Sequence, residues 1–151
     1  MAGQPVFRKA TRRDAEDIAA VGALVLGELG EASGLPSPMT PNAVAARLAA
    51  YRSRGAMFVC AEEEGVCGFA ALEPDPEEGC AAMGVWILPS ARRRGIGREL
   101  ALMALEFARS AGYSKVRGTL PAGNEAALSF FSEIGALASA AGGGMQYELP
   151  L

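Results

Sequence analysis

The strongest constraint on what this chain can fold into lies between Val85 and Leu100. Val85-Trp86-Ile87-Leu88 is an apolar, strand-like run that stops at Pro89. Ser90-Ala91-Arg92-Arg93-Arg94 follows, then Gly95-Ile96-Gly97 at the mouth of a strongly helical segment. Glycine there lets the backbone turn sharply and brings bare N–H groups close to whatever binds. The first N–H groups of a helix have no internal acceptors and carry partial positive charge, which suits phosphate. Arg92, Arg93, Arg94 and Arg98 add full charges around that mouth. These residue types in this order predict a polyphosphate-binding turn between a strand and a helix.

The nucleotide signatures of that geometry are absent. No Gly-Lys-Ser/Thr follows the glycines, and Leu100 stands where a dinucleotide fingerprint needs its third glycine. Arg92-Arg93-Arg94-Gly95-Ile96-Gly97 resembles instead the Arg/Gln-x-x-Gly-x-Gly/Ala signature of the GCN5-related N-acetyltransferases (GNAT). The resemblance implies that this loop holds the pyrophosphate of acetyl-coenzyme A (acetyl-CoA).

With 151 residues the chain is expected to form one domain over 1–151, large enough to fold without staples. A net charge of −3 argues against general nucleic-acid binding despite the local basic mouth. Cys60, Cys67 and Cys80 form an odd set without Cys-x-x-Cys spacing, so free thiols are expected and a zinc site is not. The absence of histidine removes the commonest metal ligand and the commonest general base. Neither an apolar leader nor a run near the roughly 20 residues of a membrane span appears, so no membrane partner and a cytoplasmic location are expected.

Along the chain, Val6–Ala10 reads as a strand. Thr11-Arg12-Arg13-Asp14 reads as a helix start, for a helix running to about Leu29. Residues 30–39 are rich in Gly, Pro and Ser and read as a loop. Thr40-Pro41 opens a second helix with Val44, Leu48 and Tyr51 on one face. Ala56–Ala61 and Val66–Leu72 read as a hairpin, and Cys80–Leu88 as the strand entering the glycine turn. Gly97–Ala111 is a helix ended by Gly112, and Lys115–Leu120 a strand. Asn124–Ile134 reads as a helix, and Leu137–Ala140 and Met145–Leu149 as closing strands. The order β-α-α-β-β-β-α-β-α-β-β predicts an α/β domain, a mixed central sheet flanked by helices.

That order is similar to the GNAT acyl-CoA N-acyltransferase fold along nearly the whole chain. A second segment, Asn124-x-x-Ala127-x-x-Phe130-Phe131-x-x-x-Gly135, resembles the family's Asn-x-x-Ala…Tyr-x-x-x-Gly helix. The resemblance implies that the strand before the glycine loop splays from its neighbour and takes pantetheine like an added strand. Backbone near Trp86, Ile87 and Leu88 would pair with it, and one N–H would face the thioester oxygen. Cofactor-binding residues implied are Ile87, Leu88, Arg92, Arg93, Arg94, Gly95, Ile96, Gly97, Arg98, Asn124 and Phe131, with no metal.

Two features depart from the family. Phe131 stands where many relatives carry a tyrosine that can protonate the leaving thiolate; Ser129, Ser132 and Tyr147 are the candidate replacements. The strand Cys80–Trp86 lacks the carboxylate that serves as base, leaving Glu73, Glu77 and Glu78 nearby in sequence, while Glu28 and Glu31 are placed to attract a cationic acceptor. Three readings therefore stand. The chain is an acetyl-CoA-dependent N-acetyltransferase, attacked directly by a small-molecule or protein amine. Alternatively it is a catalytically weak acyl-CoA-binding sensor or partner module on the same fold. The third reading, a nucleic-acid-binding domain, rests on Arg92–Arg98 alone and is opposed by the net charge. The resemblance also leaves room for a homodimer.

Overall fold

A computed structural model describes residues 4–33, 35, 39–92, 94–121, 133, 137–141 and 144–151. Strands β1 (Val6–Lys9), β2 (Ala56–Glu62), β3 (Gly65–Pro74), β4 (Cys80–Ile87), β5 (Lys115–Pro121), β6 (Leu137–Ala141) and β7 (Gly144–Pro150) form one sheet in the order β1-β2-β3-β4-β5-β7-β6. All neighbours are antiparallel except β4 and β5, so the sheet is mixed, as the element order predicts. The helices are α1 (Ala15–Leu29), α2 (Pro41–Tyr51) and α3 (Ile96–Ser110). Of the expected helix Asn124–Ile134 only Glu133 is described, as helical; Asn124, Ala127, Ser129, Phe130, Phe131 and Ser132 lie outside the described residues, as does Gly135. Arg93 lies outside them too.

Strand alternation sorts the core onto two faces. Phe58, Ala70, Leu72, Ala81 and Met83 meet α3 through Leu100, Ala101, Ala104, Leu105 and Ala108. Met57, Val59, Phe69 and Ala71 meet α1 and α2 through Ile18, Val21, Val25, Val44 and Tyr51. The helix starts follow local chemistry. Thr40 caps α2, its hydroxyl accepting the Ala43 N–H at 3.1 Å with Pro41 in the first turn. Thr11 opens a short 3-10 turn, Arg12–Asp14, that leads into α1. The 30–39 segment, expected as loop, begins with a 3-10 turn at Gly30–Ser33. All three cysteines are buried free thiols. No helix among the described residues is long and apolar enough to cross a membrane.

Candidate functional site

The fold opens where β4 leaves β5. The two strands pair only at Cys80–Lys115, Ala81–Val116 and Ala82–Arg117. Beyond Arg117, β5 continues against β7 as far as Pro121 opposite Gly144. From Met83 onward the strand ladder of β4 runs with β3, in an unbroken register that reaches Gly68–Ile87. A cleft therefore separates the second halves of β4 and β5.

Register decides which backbone groups face that cleft. The Leu88 N–H is donated to the Cys67 carbonyl at 2.9 Å. In an antiparallel ladder alternate residues bond the same neighbour, so Trp86 and Gly84 also bond toward β3, while Met83, Val85 and Ile87 turn their backbone groups toward the gap. Side-chain contacts agree: Tyr147 Oη donates to the Met83 carbonyl and Arg92 Nε donates to the Ile87 carbonyl at 3.1 Å. The same reasoning on β5, where Leu151 N–H bonds the Ser114 carbonyl, places the Thr119 backbone and the Pro121 carbonyl on the opposite wall. Of the expected backbone donors near Trp86, Ile87 and Leu88, only Ile87 presents its N–H to the cleft. Leu88 and Trp86 are engaged with β3, and Val85, which sequence reading passed over, joins Ile87.

At its open end the cleft meets the N-terminus of α3. Gly95 has φ +79°, a left-handed conformation that glycine adopts without strain, and a Cβ there would meet nothing within 4 Å. The first ladder bond of the helix runs from Glu99 N–H to the Gly95 carbonyl at 3.1 Å, so the N–H groups of Ile96, Gly97 and Arg98 are the orphan donors of the first turn. Ile96 itself is buried, which anchors the turn to the core.

The arginines of the turn are held from below. Arg92 forms a bidentate pair with Glu28 at the end of α1, at 2.9 and 2.6 Å. Arg94 forms another with Glu62 at the end of β2, at 3.0 and 2.8 Å. These hydrogen bonds hold the Glu28 and Glu62 carboxyls below the usual carboxylate range. Glu28 is therefore engaged with the turn, whereas sequence reading offered it to a cationic acceptor; the Glu31 side chain lies outside the described structure. Arg98 makes no ion pair among the described residues.

On the other face of β4 the Trp86 indole lies over Gly84, stacks on Phe69 at 5.1 Å and donates from Nε1 to the Ser33 carbonyl at 2.7 Å. It fastens Ser33, the last residue of the 3-10 turn after α1, to β4. The carboxylate candidates sit elsewhere. Glu73 accepts from the Tyr51 hydroxyl at 3.0 Å and lies 3.8 Å from Arg47, toward α2. Glu77 sits before β4 at the end remote from the glycine turn, held by Lys115 and Arg117 at 2.7 Å each. Those partners lower its carboxyl pKa, which weakens it as a base. Glu78 shares that remote loop. Cys80 is a buried hydrophobe, its thiol pushed up chiefly by burial. No group of side chains among the described residues could hold a metal ion.

A sequence profile described as the Acetyltransferase (GNAT) family matches residues 30–136, more than two thirds of the chain. The chain belongs to the GNAT acetyltransferase family. No curated protein matches it by sequence. Solved GNAT structures share the fold at low identity. A ribosomal-protein-alanine N-acetyltransferase from Brucella melitensis is 22% identical with a TM-score of 0.80, over 97% of this chain and 99% of that one. A phosphinothricin acetyltransferase from Sinorhizobium meliloti, in complex with acetyl-CoA, is 17% identical with a TM-score of 0.84, over 99% and 89%. The PaiA N-acetyltransferase of Thermoplasma acidophilum, in complex with coenzyme A, is 16% identical with a TM-score of 0.84, over 99% and 100%. In this GNAT chain the glycine signature falls at the mouth of α3, directly beyond the strand that borders the cleft. Two partners of the signature arginines, Glu28 and Glu62, lie 64 and 32 residues away, and no local pattern marks either.

Proposed function

We propose that this GNAT protein is an acetyl-CoA-dependent N-acetyltransferase whose cosubstrate lies in the β4–β5 cleft, and that a primary amine attacks the acyl carbonyl directly. The observation that carries this reading is the continuity of the cleft with the α3 N-terminus. The Val85 backbone and the Met83 and Ile87 N–H groups, which face away from β3 beyond the end of the β4–β5 ladder, lead to the orphan donors at Ile96–Arg98. A pantetheine arm carries amides that fit the first, and a pyrophosphate fits the second. The cofactor-binding set is then Ile87, Val85, Gly95, Ile96, Gly97 and Arg98, with Arg92 and Arg94 shaping the turn; Leu88 supports it through β3. Asn124, Phe131 and Arg93 remain proposed contacts from the family resemblance.

Within this arrangement the Val85 and Ile87 N–H groups are the candidate donors to negative charge developing on the acyl oxygen. A preorganised donor of this kind is worth roughly 2.7–4 kcal/mol of barrier. An amine of ordinary pKa, about 10.4, must lose its proton first, and no described carboxylate lines the cleft. Among the described residues, then, proton removal is left to water or to the acceptor's own groups.

Phe131 and the carboxylate-free strand Cys80–Trp86 favour a second reading, a protein that binds acyl-CoA and turns over slowly. One experiment separates the two. Calorimetric titration with acetyl-CoA and coenzyme A is expected to give micromolar binding, and Gly97→Glu, which puts a negative side chain in the phosphate path, should abolish it while the protein stays folded. Thiol release with an amine panel then indicates turnover. Binding without any release favours the sensor, and normal binding by Gly97→Glu removes the loop as the site.

A further inference from the structure

The cleft between β4 and β5 has a closed end, and a side chain from a third strand closes it. Tyr147 stands on β7 opposite Gly118 of β5, crosses that residue, and sets its hydroxyl on the Met83 carbonyl. Met83 is the first β4 residue beyond the ladder to β5. The crossing needs Gly118: a Cβ there would overlap the Tyr147 hydroxyl oxygen and the adjoining ring carbons. Tyr147 is 1% exposed and packs in the same core as Ala81, Met83, Val116 and Leu149. It is a fixed part of the core, and no rotation of a surface side chain would open this end.

The two ends of the gap differ in chemistry. One is the open α3 N-terminus, with its orphan donors. The other is the Tyr147 hydroxyl on Met83, four residues back along β4 from Ile87, about 13 Å at 3.3 Å per residue. A pantetheine arm with its phosphates at the first end must direct its acyl end toward the second. Resting on the cofactor reading above, we infer that Tyr147 on Gly118 is the acyl-length determinant of this site, restricting the thioester to an acetyl-sized group. A longer alkyl chain would have to displace the hydroxyl and strand a buried carbonyl, or push the ring into close-packed core.

The test is calorimetric titration of the whole chain with coenzyme A, acetyl-CoA, propionyl-CoA and butyryl-CoA, for the wild type, Tyr147→Phe and Tyr147→Leu. A filled apolar site rejects a surplus methylene by about tenfold or more, so butyryl-CoA should bind the wild type at least that much more weakly than acetyl-CoA. Tyr147→Phe keeps the ring and removes only the hydroxyl. It should accept propionyl-CoA as tightly as acetyl-CoA and still reject butyryl-CoA. In Tyr147→Leu each methylene that enters should tighten binding by up to about fourfold, reversing the wild-type order. A wild type indifferent to chain length overturns the inference, and so do variants that keep the wild-type order. If Tyr147→Leu shows no thermal transition, the propionyl result with Tyr147→Phe decides. A wild type that binds neither coenzyme A nor acetyl-CoA overturns the cofactor reading itself, a pattern distinct from indiscriminate binding.

Discussion

At Arg94 two nitrogens face two oxygens of Glu62, and the pair stands 43% and 22% exposed at the lip of the glycine turn. A phosphate arriving at that turn competes with Glu62 for the same guanidinium. Glu62→Gln should therefore tighten coenzyme A by about threefold in calorimetry, the effect shrinking as salt is raised. It should leave the melting temperature nearly unchanged, since exposed pairs contribute little. Weaker binding would instead mean that Glu62 aims Arg94. The residues of the turn were legible in the chain because helix mouths announce themselves: Gly95 and Gly97 break the pattern and arginines cluster beside them. Their partners were not, because bidentate pairing with Glu28 or Glu62 depends on where α1 and β2 end in space. The same applies to Tyr147, which sequence reading weighed as a replacement acid for Phe131. Its hydroxyl already donates to Met83, and burial pushes its pKa up, so it is a poor proton donor.

The helices show where local signals suffice. Thr40-Pro41 caps α2 as its residue types predict, and α3 buries Ile96, Leu100, Ala101, Ala104, Leu105 and Ala108 at helical spacing, with Met103 and Phe107 at the margin. The entry to α1 is more elaborate than Thr11 and Asp14 alone suggest. Asp14, buried, accepts from the Thr11 N–H at 2.8 Å and from both Arg8 terminal nitrogens at 2.8 Å. Arg8 belongs to β1, so this cap also ties strand to helix. The Arg8 hydrogen bonds, helped by Thr11 and opposed by burial, hold the Asp14 carboxyl below its ordinary 3.8. Asp14→Asn keeps an oxygen for the Thr11 N–H but loses the charge and one acceptor for Arg8, and should cost only about 1 kcal/mol, because Arg8 is 42% exposed and its pairing is screened. The folded pKa is depressed, so the unfolded chain takes up the proton first on acidification. The stabilisation is complete above the unfolded value and disappears as pH falls through the folded one. Thermal melts should show the gap between wild type and variant wide at about pH 6 and closing below about pH 3.8. A gap independent of pH would assign the effect to packing.

Across the whole molecule, the sheet is continuous from β1 to β4 and from β5 through β7 to β6, and the short β4–β5 ladder joins the two. Element order predicted the mixed sheet well, since each strand and helix carries its own periodicity. The point at which the parallel pair separates has no such signature; it falls where Tyr147 takes the Met83 carbonyl that a longer ladder would use. A ligand lying in the cleft would act as a missing strand and join the two parts. Binding only the folded state at a hundredfold excess over Kd stabilises by about 2.7 kcal/mol. For a chain of this size each kcal/mol raises Tm by about 2–4 °C, so coenzyme A at that excess should raise Tm by about 5–11 °C. Gly97→Glu should show no rise. Hydrogen exchange locates the effect: the amides of Val85 and Ile87, facing the cleft, should gain protection with coenzyme A, while Leu88, already bonded to Cys67, should change little. Protection confined to the α3 N-terminus, with Val85 and Ile87 unchanged, would place the phosphates correctly and refute the added strand.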